Sequence, residues 1–317
     1  MTMGLGSQTA LTTHQTDEAL AMRTLRALGS ASDGFAELEI ELDSESDILW
    51  CYMNQRGRPS YTYSLGEEIR AVQGWIRNYF RDRDPASDPL FRYFVCGSKM
   101  PGIYNLGGDL VHFVDRIRAR DLATLRRYAH ICVELQAANA NAFDSPIVTI
   151  ALVQGDALGG GFEHALAFDV IVAERSAKLG LPEVLFNLFP GMGAYSFLSR
   201  RLDRRTAEEF IMSGRIYSAE ELYQMGVVDV LAEDGQGEAA VRAHVASHRR
   251  KFNTQRAIYE ARRRVNPVTY AELVSITDIW ADTALTLSES DLKKMERLAA
   301  AQDKRVAALR GPVYLVD

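Results

Sequence analysis

Three consecutive glycines, Gly159-Gly160-Gly161, separate an apolar run from a segment with helical character, and a carboxylate, Glu163, follows at once. The run Ile147-Val148-Thr149-Ile150-Ala151-Leu152-Val153 is rich in β-branched residues, is preceded by Pro146, and is short enough for a buried strand. Phe162 to Ala167 reads as the start of a helix. A strand that turns into a helix through glycines is an α/β element. Glycine lets the backbone bend freely there and lets another molecule approach the main chain closely. The first helical turn offers unpaired N–H groups and a partial positive charge, which can hold an anion or an oxygen that becomes one during a reaction. By itself such a turn also serves close packing or phosphate binding. It is neither a dinucleotide fingerprint, since the G-x-G-x-x-G spacing is missing, nor a P-loop, since no Gly-Lys-Ser/Thr follows.

The rest of the chain limits what surrounds this turn. Its 317 residues are 47% hydrophobic and 25% charged, enough for a large core in one domain with appendages or in two. A net charge of −6 argues against a nucleic-acid binder. Cys51, Cys96 and Cys132 are widely spaced, forming neither a metal motif nor a disulfide framework, so the expectation is a reducing, cytoplasmic compartment with no metal and no cofactor. No apolar run is long enough to span a membrane, and nothing at the N-terminus reads as an export signal.

Residues 1–16 are small and polar and are expected to be flexible. Asp17 to Leu28 suits a short helix stopped by Gly29. Strands are expected over Phe35 to Leu42, Asp47 to Met53, Phe91 to Cys96 and Val170 to Ala173, with Lys178 to Glu183 a strand running into a loop. A further strand is expected over Val227 to Leu231. Helices are expected over Leu65 to Tyr79, Leu110 to Ile117, Leu122 to Ala140, Pro190 to about Arg201, Thr206 to Met212 and Ala219 to Met225. Beyond Glu238 the chain reads as mostly helical. Its last helix is capped by Ser288 with Asp291, and Leu292, Met295, Leu298 and Val306 form an apolar stripe. Strand–helix alternation followed by helices predicts an α/β core with an α-helical C-terminal extension. The expected division is a flexible segment over 1–33, a catalytic core over 34–255, and helices over 256–317 that cover a pocket.

A second carboxylate, Glu183, lies twenty residues after Glu163, behind a strand and Pro182. A returning strand would bring the two acids to one site. The motifs Gly155-x-Ala-x-Gly-Gly-Gly-x-Glu163, Leu181-Pro-Glu183 and Pro190-Gly191-Met192-Gly193 together resemble the crotonase (enoyl-CoA hydratase/isomerase) superfamily. Asn105-Leu106-Gly107-Gly108-Asp109-Leu110 and the segment Gly214 to Asp229 are similar to two further parts of that pattern. The resemblance spans roughly 35–255 and implies a crotonase-like spiral of ββα units. It implies that the N–H groups of Gly108 and Gly160 hold a thioester carbonyl oxygen, and that Glu163 and Glu183 move protons across C2–C3. Both acids being present favours hydration or dehydration. Trimer-based homo-oligomers are common in that superfamily.

The bulky Tyr104-Asn105-Leu106 segment, the long region from Met53 to Phe94 and the C-terminal helices look closer to the bacterial diffusible-signal-factor synthases, the RpfF-type enzymes. That subgroup implies dehydration of a 3-hydroxyacyl group on acyl carrier protein, then thioester hydrolysis releasing a cis-2-unsaturated fatty acid for quorum sensing. It also implies a protein partner, the receiver domain of a cognate sensor kinase. Met192, Trp280 and Leu298 match its apolar acyl pocket. Two alternatives stay open: an enoyl-CoA enzyme, or a regulatory binding protein on the same fold. His164 is expected to be a packed, hydrogen-bonded helix residue. The basic clusters at Arg200 to Arg205, His248 to Lys251 and Arg262 to Arg264 are expected to be salt-bridged faces.

Overall fold

The computed structural model describes residues 17–29 and 34–310, so the expectation for residues 1–16 falls outside the described residues. The strands are β1 (Leu38–Asp43), β2 (Ile48–Met53), β3 (Tyr93–Ser98), β4 (Ile103–Asn105), β5 (Val148–Val153), β6 (Asp156–Leu158), β7 (Val170–Glu174), β8 (Lys178–Gly180), β9 (Ile216–Ser218) and β10 (Val230–Ala232). The first helix, α1, runs over 17–26. It is followed by α2 (Tyr63–Asp82), α3 (Leu110–Arg118), α4 (Leu122–Ala140), α5 (Gly160–Leu166), α6 (Ala194–Leu198), α7 (Arg204–Ser213), α8 (Ala219–Gln224), α9 (Gly237–His248), α10 (Phe252–Val265), α11 (Tyr270–Ala284) and α12 (Glu289–Arg310).

A six-stranded sheet has the order β1-β2-β3-β5-β7-β10, and a four-stranded sheet has the order β4-β6-β8-β9. All pairs are parallel except β1 with β2 and β8 with β9. Successive units each give one strand to the large sheet, one short strand to the small sheet, and then a helix or helical turn: β3-β4-α3, β5-β6-α5, and β7-β8 with the 3-10 turn Pro182–Phe186. This is the ββα spiral expected from the resemblance, with α11 and α12 as the C-terminal helical extension.

The alternation of side chains along a strand divides the large sheet between two cores. Cys51, Met53, Phe94, Cys96, Ala151 and Val153 face the main core beneath α2 and α4. Trp50, Tyr52, Val95, Ile150, Leu152 and Val172 face a second core that includes Val241 and Val245 of α9. A parallel sheet buried on both faces reads in sequence as an unbroken apolar run, as at Ile147 to Val153.

Of the small sheet, only β8 was expected, as the strand from Lys178 that runs into a loop. The strands of this sheet are three residues long, too short for a period of two to show. Several boundaries also move: β1 begins at Leu38, β3 at Tyr93 and α6 at Ala194. The strand expected from Val227 begins at Val230, because the Val227 and Val228 N–H groups both donate to the Leu222 carbonyl and close the turn after α8. The helix expected through Arg201 ends at Leu198 and continues as tight turns.

Candidate active site

The small sheet places the two glycine turns and both acids around one cavity. Strands β6 and β8 are parallel neighbours, and the Gly159 N–H donates to the Gly180 carbonyl at 2.9 Å. The turn leaving β6 therefore abuts the turn leaving β8. The first carries Glu163 in the opening turn of α5, and the second carries Glu183 in its 3-10 helix. Gly159 has φ +53°, and a Cβ there would stand 2.5 Å from Glu183 Oε1, so only glycine lets this carboxyl lie on the turn.

The two acids are held differently. Glu163 is 1% exposed, and its Oε1 accepts the N–H of Met192 at 2.7 Å and of Ala194 at 2.9 Å. Burial pushes its pKa up to about 7, and those two N–H bonds restrain the rise because they favour the ionised form. Glu183 Oε2 is buried and has no partner among the described residues. Burial, followed by the nearby Glu163 charge, pushes its pKa well above the usual carboxylate range. The surroundings thus differ in kind: two backbone N–H groups favour the ionised form of Glu163, while burial beside the Glu163 charge favours the protonated form of Glu183.

Gly108 and Gly160 stand together at the cavity wall. A Cβ on Gly160 would lie 3.4 Å from Gly108 N and 2.4 Å from Met192 Sδ. Among the described residues neither amide N–H has an acceptor. Gly160 is the first residue of α5, where an N–H has no partner within its own helix. Asn105 Oδ1 accepts the Gly107 N–H at 2.8 Å and holds the turn that presents Gly108.

The cavity measures about 250 Å³ and is lined mainly by apolar side chains. Met192, Trp280 and Leu298 all line it, together with Glu163, Glu183, Gly108 and Gly160, so the structure brings every expected site residue to one place. Trp280 packs against Gly191 and edge-on to Phe113, ring centroids 5.0 Å apart, while Thr277 Oγ1 donates to the Gly191 carbonyl at 2.6 Å. These contacts dock α11 on the Pro190–Gly193 turn that also caps Glu163. Helix α12 brings Leu298 and Gln302. It is tied down by Arg118 to Glu289 and Glu296, Arg58 to Asp303, and Arg305 to Asp156. Its start has the expected reciprocal Ser288–Asp291 bonds.

Asn105 was read only as part of a motif, and Phe113, Thr277 and Gln302 were not picked out from the sequence. Of these three Gln302 alone left a signal, a polar residue on the apolar stripe four after Leu298 and four before Val306. His164 points away from the cavity. It is 1% exposed, with Nδ1 3.1 Å from Gln136 Oε1 and Nε2 3.6 Å from Cys96 Sγ, so it is the packed residue expected. The basic clusters are largely paired: Arg200 with Glu272, Arg201 with Asp229, Arg249 with Asp47, Arg262 and Arg263 with Asp169, and Arg264 with Glu260. Among the described residues no helix is long and apolar enough to cross a membrane.

Comparison with known proteins fits this geometry. The model of the enoyl-CoA hydratase/isomerase family matches residues 86–266. The chain is 33% identical to mitochondrial methylglutaconyl-CoA hydratase of Rattus norvegicus, over 71% of this chain and 70% of that one. It is 34% identical to the mitochondrial enoyl-CoA hydratase domain-containing protein 2 of Homo sapiens, over 69% of this chain and 72% of that one. In fold it is similar to Pseudomonas aeruginosa DspI (23% identity, TM-score 0.58, 87% of this chain and 99% of that one). It is also similar to enoyl-CoA hydratase from Bacillus halodurans (20%, TM-score 0.65, 83% and 100%). Fold and site together define an enzyme of the crotonase superfamily. The chain belongs to the enoyl-CoA hydratase/isomerase family.

Proposed function

We propose that this enzyme dehydrates a 3-hydroxyacyl thioester carried on acyl carrier protein and then hydrolyses the thioester, releasing a cis-2-unsaturated fatty acid that serves as a diffusible signal. The observation that carries this reading is the buried pair of carboxyls with unequal surroundings, set beside two free glycine amides in an apolar cavity. The thioester carbonyl accepts hydrogen bonds from the Gly108 and Gly160 N–H groups. Glu163, as carboxylate, takes the C2 proton, and the electron pair moves onto the carbonyl oxygen, where the two amides stabilise it. One such donor is worth about 3–4 kcal/mol of barrier. Glu183, as acid, gives its proton to the 3-hydroxyl, which leaves as water while the C2–C3 double bond forms. In the second stage a water activated by one of the acids attacks the carbonyl carbon, and the carrier thiol leaves with a proton. An apolar cavity that folds the tail at C2–C3 would give a bent, cis product.

The lining also bears on the acyl group. Among the described residues that line the cavity none is Arg, Lys or His. A methylglutaconyl group ends in a free carboxylate, which this cavity has no cation to meet, so an uncharged aliphatic tail is the better match. A second reading, hydration of enoyl-CoA esters, is favoured by the family match and the curated relatives. Incubation with crotonyl-CoA and with 3-hydroxydodecanoyl-carrier protein, followed by mass spectrometry, separates them. The proposal requires free cis-2-dodecenoic acid from the second and little turnover of the first, and the reverse pattern overturns it. The exposed Ile258, Val265 and Ile279 on the outer helices support a homo-oligomer, to be measured by light scattering.

A further inference from the structure

We infer that Gln302 is a specificity-determining residue: its side-chain carbonyl accepts a hydrogen bond from the first amide N–H of the arm that carries the acyl thioester. This rests on the thioester reading above and adds to it a residue outside the proton-transfer pair.

Gln302 occupies a position on α12 that helical spacing would give to an apolar residue. Leu298 precedes it by one turn and lines the cavity, and Val306 follows by one turn and packs with Met100, Ile103 and Leu106. Gln302 is only 7% exposed and itself lines the cavity. Its Nε2 donates to the Leu106 carbonyl at 3.4 Å, which fixes the plane of the amide. Its Oε1 is buried and has no partner among the described residues. A buried amide oxygen left unpaired is costly, so a bound molecule that completes the bond gains what the unpaired oxygen lacks.

The other polar groups at the wall are already committed. Thr277 donates to Gly191, Tyr128 donates to the Tyr61 carbonyl, and the two glutamates face the reacting carbons. The Gln302 acceptor therefore waits for a donor, and an aliphatic tail has none. In a 3-hydroxyacyl thioester the donors are the 3-hydroxyl, which the glutamates take, and the amide N–H that follows the sulfur after a two-carbon spacer. Position favours the amide. The carbonyl that anchors Gln302 belongs to Leu106, two residues before Gly108, so Gln302 stands by the thioester carbonyl. Carrier protein and coenzyme A share this amide, so Gln302 selects the arm and not its bearer.

The test compares one 3-hydroxyacyl group on two thiols. N-acetylcysteamine carries the amide, and an unbranched alkanethiol of matched length does not. Binding is measured by calorimetry and turnover by mass spectrometry, for the wild type and for Gln302→Met, which keeps side-chain volume. The wild type should bind the amide thioester about tenfold more tightly, the effect of one hydrogen bond. Gln302→Met should reduce that ratio to near one, with thermal stability undiminished. An unchanged ratio, or an equal loss for both thioesters, overturns the assignment and makes Gln302 a structural residue. If the ratio collapses as expected but no dehydration occurs, the reaction fails and the Gln302 assignment stands. If the wild type binds neither thioester, both fail.

Discussion

Glu163 and Glu183 share one cavity but are held differently: the Met192 and Ala194 N–H groups both point at Glu163 Oε1, while Glu183 Oε2 has no partner among the described residues. The chain thus sets a base beside an acid using one residue type twice. The difference arises in the Pro190–Gly193 turn, whose far end delivers the two amides to the first acid and none to the second.

Removing either acid should stop the reaction without unfolding the chain. Glu163→Gln keeps an oxygen for the Met192 and Ala194 amides but cannot take a proton. Glu183→Gln cannot donate one as an acid. Each should lower kcat on a 3-hydroxyacyl thioester by about 10²–10⁴-fold, the usual size of a lost acid or base, with circular dichroism unchanged. Near wild-type turnover by either variant would disprove the assignment.

The pH profile follows from the same asymmetry. Activity requires ionised Glu163, so the rate should rise through a pH of about 7. It also requires protonated Glu183, whose pKa burial and the nearby Glu163 charge raise well above the usual carboxylate range, so the rate should fall again as Glu183 loses its proton. Steady-state kinetics across this range should give a bell with its rising limb near neutrality. A rising limb in the ordinary carboxylate range would show that Glu163 is not the base.

Stability should respond with a definite sign. The fold raises the Glu163 pKa from 4.5 to about 7, so the folded state binds the proton more tightly than the unfolded chain. The contribution of Glu163 to stability therefore falls as pH rises from 4.5 to about 7 and levels off above that, while Glu183, whose pKa is also raised by burial, adds a loss of the same sign in both proteins. Glu163→Gln lacks the first of these losses. Urea denaturation of both proteins below and above this window should show the variant gaining on the wild type as pH increases, and a constant difference would contradict the burial of Glu163 as the cause.

The central strand, the triple-glycine turn and the helices α2 to α4 were legible because each is long or strongly patterned. Ile147 to Val153 is buried on both faces, and Leu122 to Ala140 holds its spacing over a whole helix. Of the small sheet only β8 was legible, as the strand from Lys178; Ile103–Asn105, Asp156–Leu158 and Ile216–Ser218 are three residues each among glycines and turns. The acids and glycines of the site, and Asn105 with them, could be read through the order of their motifs. Gln302 showed only as a polar break in the α12 stripe, because the Leu106 carbonyl that singles it out is brought near by the fold from a distant part of the chain.

Asp169 should be the strongest single anchor of α10. It is 4% exposed and receives Arg262, Arg263 and the N–H of Thr149, the last at 3.1 Å. Asp169→Ala leaves the Arg262 and Arg263 guanidinium groups facing each other; because Arg262 is 46% exposed, the change should cost about 1–3 kcal/mol. Asp169→Asn keeps the Thr149 bond and should cost less. Thermal melts should rank them in that order, and hydrogen exchange should quicken in α10 before it does in β5. Equal melting temperatures for Asp169→Ala and the wild type would mean that the pairs are open in solution.

Acyl length should be set where Trp280 and Leu298 close the cavity. Trp280→Ala removes the ring that packs on Gly191 and Phe113, enlarging a space of about 250 Å³. Each methylene newly buried contributes about 0.8 kcal/mol, or roughly fourfold in kcat/KM. The variant should therefore favour longer acyl chains by about that factor per added carbon, and should lose about 3–5 kcal/mol of stability to the space it opens. Leu298→Phe fills space at the α12 wall and should shift preference to shorter chains. Competition assays with mixed-length 3-hydroxyacyl thioesters, read by mass spectrometry of the products, measure both shifts at once. If the two variants move the preference in the same direction, or not at all, the tail does not lie against α11 and α12.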